Sequence, residues 1–134
     1  MSSRLKILLI DDSDDVRLIY TARLNAEGFE VVTASSGAEG VQLATAQRPD
    51  FILLDLMMPN QNGMATYHAL RAVPSLKLVP VIVLTGMAID DHWEQLPSQQ
   101  DGPCFLMGKP TDLSLLFRKI QDVLKLSGRK TAGT

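Results

Sequence analysis

Phe51-Ile52-Leu53-Leu54-Asp55-Leu56-Met57-Met58-Pro59 is the stretch on which the reading of this chain turns. Its unbroken apolar start suits a strand covered on both faces, as in a parallel sheet. The run then stops on a carboxylate. The same pattern stands near the start of the chain, where the apolar run 5–10 meets Asp11-Asp12. Open α/β sheets place their ligand crevices outside the carboxyl ends of the strands. Asp11, Asp12 and Asp55 are therefore expected to share one cleft. Carboxylates held so close repel one another and call for a proton or a cation. Hard oxygen donors of this kind suit Mg2+.

Outward from this stretch, strand and helix signals alternate. A strand over 5–10 leads into a helix over 14–26, after the polar break at Ser13. Val16, Ile19, Tyr20 and Leu24 share one face of it, and Gly28 reads as its C-cap. A strand over 29–34 precedes Ser36-Gly37-Ala38-Glu39, which matches a capping box with Glu39 reaching back to Ser36. That helix extends to Gln47, because Pro49 forbids its continuation. The third strand covers 50–54, and the turn-rich 59–63 leads to a helix over about 64–72. A fourth strand spans 79–84, with Pro80 tolerated near its start. A short helix over 88–96 carries Trp93, expected to pack on the sheet. The last pair is a strand over 103–107 and a helix over 112–126. Thr111 is its expected N-cap, and Leu113, Leu116, Phe117, Ile120 and Leu124 form its apolar face. Five such βα units predict an α/β fold, a three-layer, doubly wound, five-stranded parallel sheet.

Composition narrows the function classes. The chain has 134 residues, 46% of them apolar, and a formal charge of −2. That is enough for one hydrophobic core and offers no broad basic face for nucleic acid. Residues 1–126 are expected to form the domain and 127–134 a polar tail or the start of a linker, with Arg129-Lys130 as a solvated end. Cys104 is the single cysteine, so an intrachain disulfide or multi-thiolate metal site is excluded. It is expected to be a buried thiol. No apolar stretch reaches membrane-spanning length. The first strand begins almost at once, so no signal peptide and a cytoplasmic location are expected.

The other strand ends add chemistry. Strand four runs into Thr85-Gly86, and strand five is followed by Gly108-Lys109-Pro110. Taken singly these residues mean little. Their joint occurrence at the ends of four strands assigns roles by charge. Asp55, on the middle strand, is the nucleophile toward an electrophilic phosphorus. Asp12 ligates Mg2+ directly, Asp11 directly or through water, with Asp55 and the main-chain carbonyl of Met57 completing the protein's share. Lys109 and the Thr85 hydroxyl take the remaining phosphoryl oxygens, in a reaction where the protein mainly positions groups and neutralises charge. No phosphate-binding glycine loop follows strand one, and no nucleophile elbow occurs. His68 and His92 lack metal-ligand spacing and read as helix-surface residues.

These residues give the chain a family likeness. Asp11-Asp12, the segment from Asp55 to Gly63, the run ending in Thr85-Gly86 and Lys109-Pro110 fall in the order and spacing of a response-regulator receiver domain of bacterial two-component signalling. The chain resembles that family over about residues 5–126. The likeness implies the flavodoxin-like strand order 2-1-3-4-5. It also implies that Asp55 accepts a phosphoryl group from a phosphohistidine on a sensor histidine kinase or histidine phosphotransfer protein. Asp11 and Asp12 correspond to the metal-binding pair, Thr85 to the switch hydroxyl and Lys109 to the phosphate-pairing lysine, with an unknown output protein as the further partner. No direct nucleic-acid or membrane contact is implied.

Leu106 stands where the family usually has an aromatic switch residue, with Phe105 beside it and pointing to the opposite face. Thr111 replaces a frequent aromatic. The likeness also places Met57 and Met87, each two residues beyond Asp55 and Thr85, over the phosphoryl group, where their apolar side chains would hinder attack by water and give a comparatively long-lived acyl phosphate; the alternative is that both pack against neighbouring helices. The alternatives are a degenerate receiver acting as a protein-binding scaffold, a receiver fragment of a larger regulator or hybrid kinase, and an aspartyl-nucleophile phosphatase. The last wants a second carboxylate two residues after the nucleophile, where Met57 stands.

Overall fold

The computed structural model describes residues 5–55, 63–85, 104–108 and 113–126. Along them run β1 (Lys6–Ile10), α1 (Asp14–Ala26), β2 (Glu30–Ala34), α2 (Gly37–Gln47), β3 (Phe51–Asp55) and α3 (Gly63–Ala72). A 3-10 turn (Pro74–Leu76), β4 (Val81–Thr85), β5 (Cys104–Gly108) and α4 (Leu113–Leu126) complete the order. The five strands pair in parallel as β2-β1-β3-β4-β5. This is the flavodoxin-like receiver fold expected from the strand grammar and the family likeness. The helix expected over 88–96, Trp93 and His92 lie outside the described residues, as do Thr111 and the 127–134 tail.

Strand parity builds the core. Successive side chains of a strand point to opposite faces, and both faces here are apolar. Leu8, Ile10, Ile52 and Leu54 join a cluster under α2 and α3. Ile7, Leu9, Phe51 and Leu53 join a second cluster under α1 and α4. Each such side chain, fully buried, contributes about 1.5–3 kcal/mol, so β1 and β3 anchor the central layer. α4 seats Leu116, Ile120 and Val123 in the second cluster.

Local signals set the helix ends. The Ser13 hydroxyl accepts from the Val16 N–H at 3.2 Å and starts α1. At its other end Gly28 adopts φ 99°, a left-handed conformation that glycine takes without strain. The Gly28 N–H donates to Asn25 O and the Phe29 N–H to Leu24 O, closing the helix as a Schellman motif. The Ser36 hydroxyl accepts from the Glu39 N–H at 3.2 Å as expected. Glu39 Oε1 reaches the Ser35 N–H at 2.6 Å, one residue further back than the capping box predicts. Gly40 lets α2 lie directly on β1: a Cβ there would stand 2.5 Å from Ile10 Cδ1.

Some expectations shift. Every strand was expected to begin one or two residues before its ladder does, because Leu5, Phe29 and Val79 bury side chains or lead in without pairing as strand residues. Ile19 was expected on the core face of α1 but is 54% exposed. It lies off the end of the arc formed by Val16, Tyr20 and Leu24, all of which pack into the second cluster. Cys104 is buried, as expected of an inert thiol.

Candidate active site

β1 and β3 are neighbours, with Ile10 level with Leu54. Asp11 and Asp55 are the next residue on each, so the register alone delivers two carboxyl groups to one place. Asp11 continues the sheet by one bond, its N–H donating to Ala34 O at 3.1 Å. Asp12 follows in the turn into α1. One carboxylate oxygen from each of Asp11, Asp12 and Asp55 lies within 4.8 Å of the other two. Asp11 and Asp55 are buried and Asp12 is half-buried.

Each ionised pair within 4.8 Å repels by about 3 kcal/mol or more at an effective dielectric of about 20. The positive end of a nearby helix offsets only about 0.3–1 kcal/mol, so α1 cannot balance the cluster. The donor set is oxygen only, anionic and convergent. It fits a small hard divalent cation such as Mg2+ and suits neither a thiolate nor an imidazole metal.

The turn that carries Asp12 is tied at several points. Asp11 Oδ1 accepts from the Ser13 N–H at 2.9 Å. The Arg17 N–H donates to Ser13 O at 3.0 Å. Arg17 Nη1 donates to the main-chain oxygen of Asp11 at 2.8 Å, while Nη2 pairs with the Asp14 carboxylate. Arg17 was not singled out from the sequence. Its one available signal is position: an arginine one turn into the helix that follows an acidic pair.

The remaining expected site residues divide by what is described. Thr85 ends β4, and its backbone is level with Gly108 of β5; one step earlier, Leu84 is level with Asp55. Thr85 therefore stands at the same sheet edge as the acids, and Lys109 directly follows Gly108 in sequence. The Thr85 and Leu106 side chains, and the whole of Met57, Gly86, Met87 and Lys109, lie outside the described residues. On β5, Phe105 joins the α4-side cluster and Lys119 lies over its ring at 5.8 Å. Cys104 points to the opposite cluster.

Known proteins similar to this chain place it within a family. The chain is 34% identical to the response regulator PleD of Caulobacter vibrioides over 126 residues, covering 93% of this chain but only 27% of that protein. It is 32% identical to protein PilH of Pseudomonas aeruginosa over 119 residues, covering 89% of this chain and 97% of PilH. A solved structure of similar fold is the receiver domain of sensor histidine kinase PA1611 from Pseudomonas aeruginosa, with a magnesium ion coordinated in its active-site cleft. It has a TM-score of 0.79 and 28% identity, over 92% of this chain and 99% of that one. The family profile of the response regulator receiver domain matches residues 7–121. Because that match runs across the strands that deliver all the clustered acids, the chain belongs to the response regulator receiver domain family.

Proposed function

We propose that the protein is a phosphorylation-dependent signalling switch in which Asp55 accepts the phosphoryl group. The observation that carries this reading is the convergence of Asp11, Asp12 and Asp55 within 4.8 Å at the carboxyl edge of a receiver-family sheet. An Asp55 oxygen attacks phosphorus, a P–O bond forms, and the P–N bond to the donor's imidazole breaks. The donor is a phosphohistidine on a sensor histidine kinase or a histidine phosphotransfer protein, the partners general to this family. Asp11, Asp12, Asp55 and the Met57 carbonyl would hold Mg2+, which when bound offsets negative charge on the carboxylates and the phosphoryl oxygens.

Asp55 is the nucleophile because it is held by the ladder of the central strand, with Leu54 and Leu53 fixed in the core behind it. Rigid placement of a reacting group removes an entropic part of the barrier. Lys109 and Thr85 are assigned to the product's oxygens. Support for this comes from β4 and β5, whose paired ends bring the Thr85 backbone and Gly108 level at the same edge. The domain is assigned to residues 1–126, with 127–134 as tail or linker. Among the described residues no helix is long and apolar enough to cross a membrane, and a cytoplasmic location is part of the proposal. The output protein would read the phosphorylated surface, since added charge and acceptor oxygens bias a two-state element.

Intact-mass measurement after incubation with Mg2+ and a small phosphodonor tests the reading. A single phosphoryl adduct is expected on the wild type and none on Asp55→Asn. Lack of an adduct on a wild type that binds the metal would instead make the chain a binding scaffold.

A further inference from the structure

Arg17 occupies an unusual place for a cation beside an acidic site. Its side chain is only 19% exposed, while its partner Asp14 is 91% exposed. The guanidinium therefore cannot be explained by its surface pair alone. Its buried arm ends on the main-chain oxygen of Asp11 at 2.8 Å. Its own N–H holds Ser13 O, and the Ser13 N–H in turn holds Asp11 Oδ1. Arg17 thus spans the turn from Asp11 to Asp14, with Asp12 between its two attachment points.

We propose that Arg17 is a positioning residue that holds the Asp11–Asp12 turn in cation-binding geometry. The inference rests on the reading of the acidic cluster as a divalent-cation site. The physical case is a contest between charge and geometry. Like charges crowded within 4.8 Å push the turn outward, and Asp12 is the one of the three acids that is only half-buried. The Arg17 side chain pins the main-chain oxygen of Asp11, the residue just before Asp12, so the carboxylates stay convergent before a cation arrives. Groups that orient metal ligands without touching the metal typically change metal affinity by about 10–100-fold when removed.

The contest gives opposite signs for one experiment. By Coulomb's law alone, removing a positive charge next to a cation site tightens cation binding. Loss of positioning weakens it. Mg2+ is titrated calorimetrically into the unphosphorylated full chain, for wild type, Arg17→Met, Arg17→Lys and Asp14→Asn. Thermal unfolding in metal-free buffer shows that each variant is folded. Arg17→Met is expected to bind Mg2+ about tenfold more weakly. Arg17→Lys keeps the charge and reaches one acceptor, so it should fall between wild type and Arg17→Met. Asp14→Asn releases only the exposed arm and is expected to stay within about twofold.

Mg2+ binding by Arg17→Met as tight as wild type, or tighter, would overturn the positioning role. Should Arg17→Met fail to fold, Arg17→Lys decides: its charge is unchanged, so a loss of affinity reports geometry and an unchanged affinity overturns the proposal. Asp12→Asn distinguishes the two levels of failure. A wild type that takes up no Mg2+, or an Asp12→Asn variant that binds as wild type does, would refute the cation site itself, whereas normal wild-type binding with an unaffected Arg17→Met refutes the role of Arg17 alone.

Discussion

At the edge where the strands begin, positive side chains end on oxygens the fold itself supplies. Lys6 Nζ reaches Gln47 O and Oε1 at 3.4 and 3.1 Å and Glu30 at 3.6 Å, and its N–H donates to Asp50 Oδ2 at 2.8 Å. Arg71 is buried in the last turn of α3 and donates through Nη1 to Leu76 O, Lys77 O and Val79 O at 2.9, 3.1 and 2.8 Å. At the edge where the strands end, Asp11, Asp12 and Asp55 crowd together instead. The parallel architecture explains the polarity. Each helix runs back along the strand before it, so helix C-termini gather at the first edge and N-termini at the second. Cations suit the former and anions the latter. Helix ends carry only about half a charge each, which suffices to favour one lysine or arginine but falls short of balancing three carboxylates. One edge is complete in itself; the other is built to be completed by a ligand.

If this contrast holds, the largest stability loss belongs to the edge without chemistry. Arg71→Met would take the guanidinium from Leu76 O, Lys77 O and Val79 O, leaving Leu76 O with the Val79 N–H, and remove the ring contact to Tyr67 at 5.3 Å. A loss of about 3–5 kcal/mol is expected, read as a lower urea midpoint with an unchanged slope. Mg2+ affinity should stay within about twofold, since the substitution touches the opposite edge. A variant that unfolds like wild type would break the comparison at its strongest point.

The opposite sign is expected at the carboxyl edge. Asp12→Asn removes one like charge from a crowded set; water screens half-buried Asp12 well below the pair energy at a dielectric of about 20, so metal-free protein should gain about 1–2 kcal/mol. With saturating Mg2+ the order reverses, because wild type gains stability by binding the ion and the variant has lost a ligand. Parallel urea melts with and without Mg2+ read both halves. A metal-free loss of stability in Asp12→Asn would mean that the acids hold the fold together and the two edges do not differ as argued.

What the sequence revealed follows the same division. The acids were legible because each ends an apolar run, and a carboxylate abutting a buried strand has few structural reasons to be there. The strand order came with the family likeness, since periodicity alone does not order parallel strands. Strand ends were misjudged in one direction. β3 and β4 keep pairing through Asp55 and Thr85, polar residues that an apolar count drops, whereas Phe29 and Val79 are buried before their ladders begin. The arginines were missed for a different reason. An arginine in the last turn of a helix normally faces solvent, and nothing in the spacing of Arg71 says that the segment from Leu76 to Val79, at and beyond the 3-10 turn, will turn its carbonyls toward it. Arg17 was hidden likewise, because its target is a main-chain oxygen, which carries no residue type.

The smallest expected effect isolates the buried end of the amino edge. Tyr67 is fully buried, and its hydroxyl accepts from Arg71 Nε at 3.3 Å. Burial pushes the phenol above its ordinary value of 10.0, partly offset by the hydrogen bond from Arg71. A raised folded-state pKa means that the protonated ring favours the fold. This contribution is fully present below the unfolded value near 10 and is lost as pH rises through the folded value. Tyr67→Phe lacks the ionisation and also the bond from Arg71, so it should be about 1 kcal/mol less stable near neutrality. Above about pH 10 the wild type loses stability that the variant keeps, and the gap between them should narrow. Urea midpoints of both proteins, compared at each pH, cancel the titration of every other group to first order. A gap that stays constant through the alkaline range would show that the Tyr67 environment does not favour the neutral phenol. Unchanged Mg2+ affinity in the same variant would keep the effect at the amino edge, where the comparison places it.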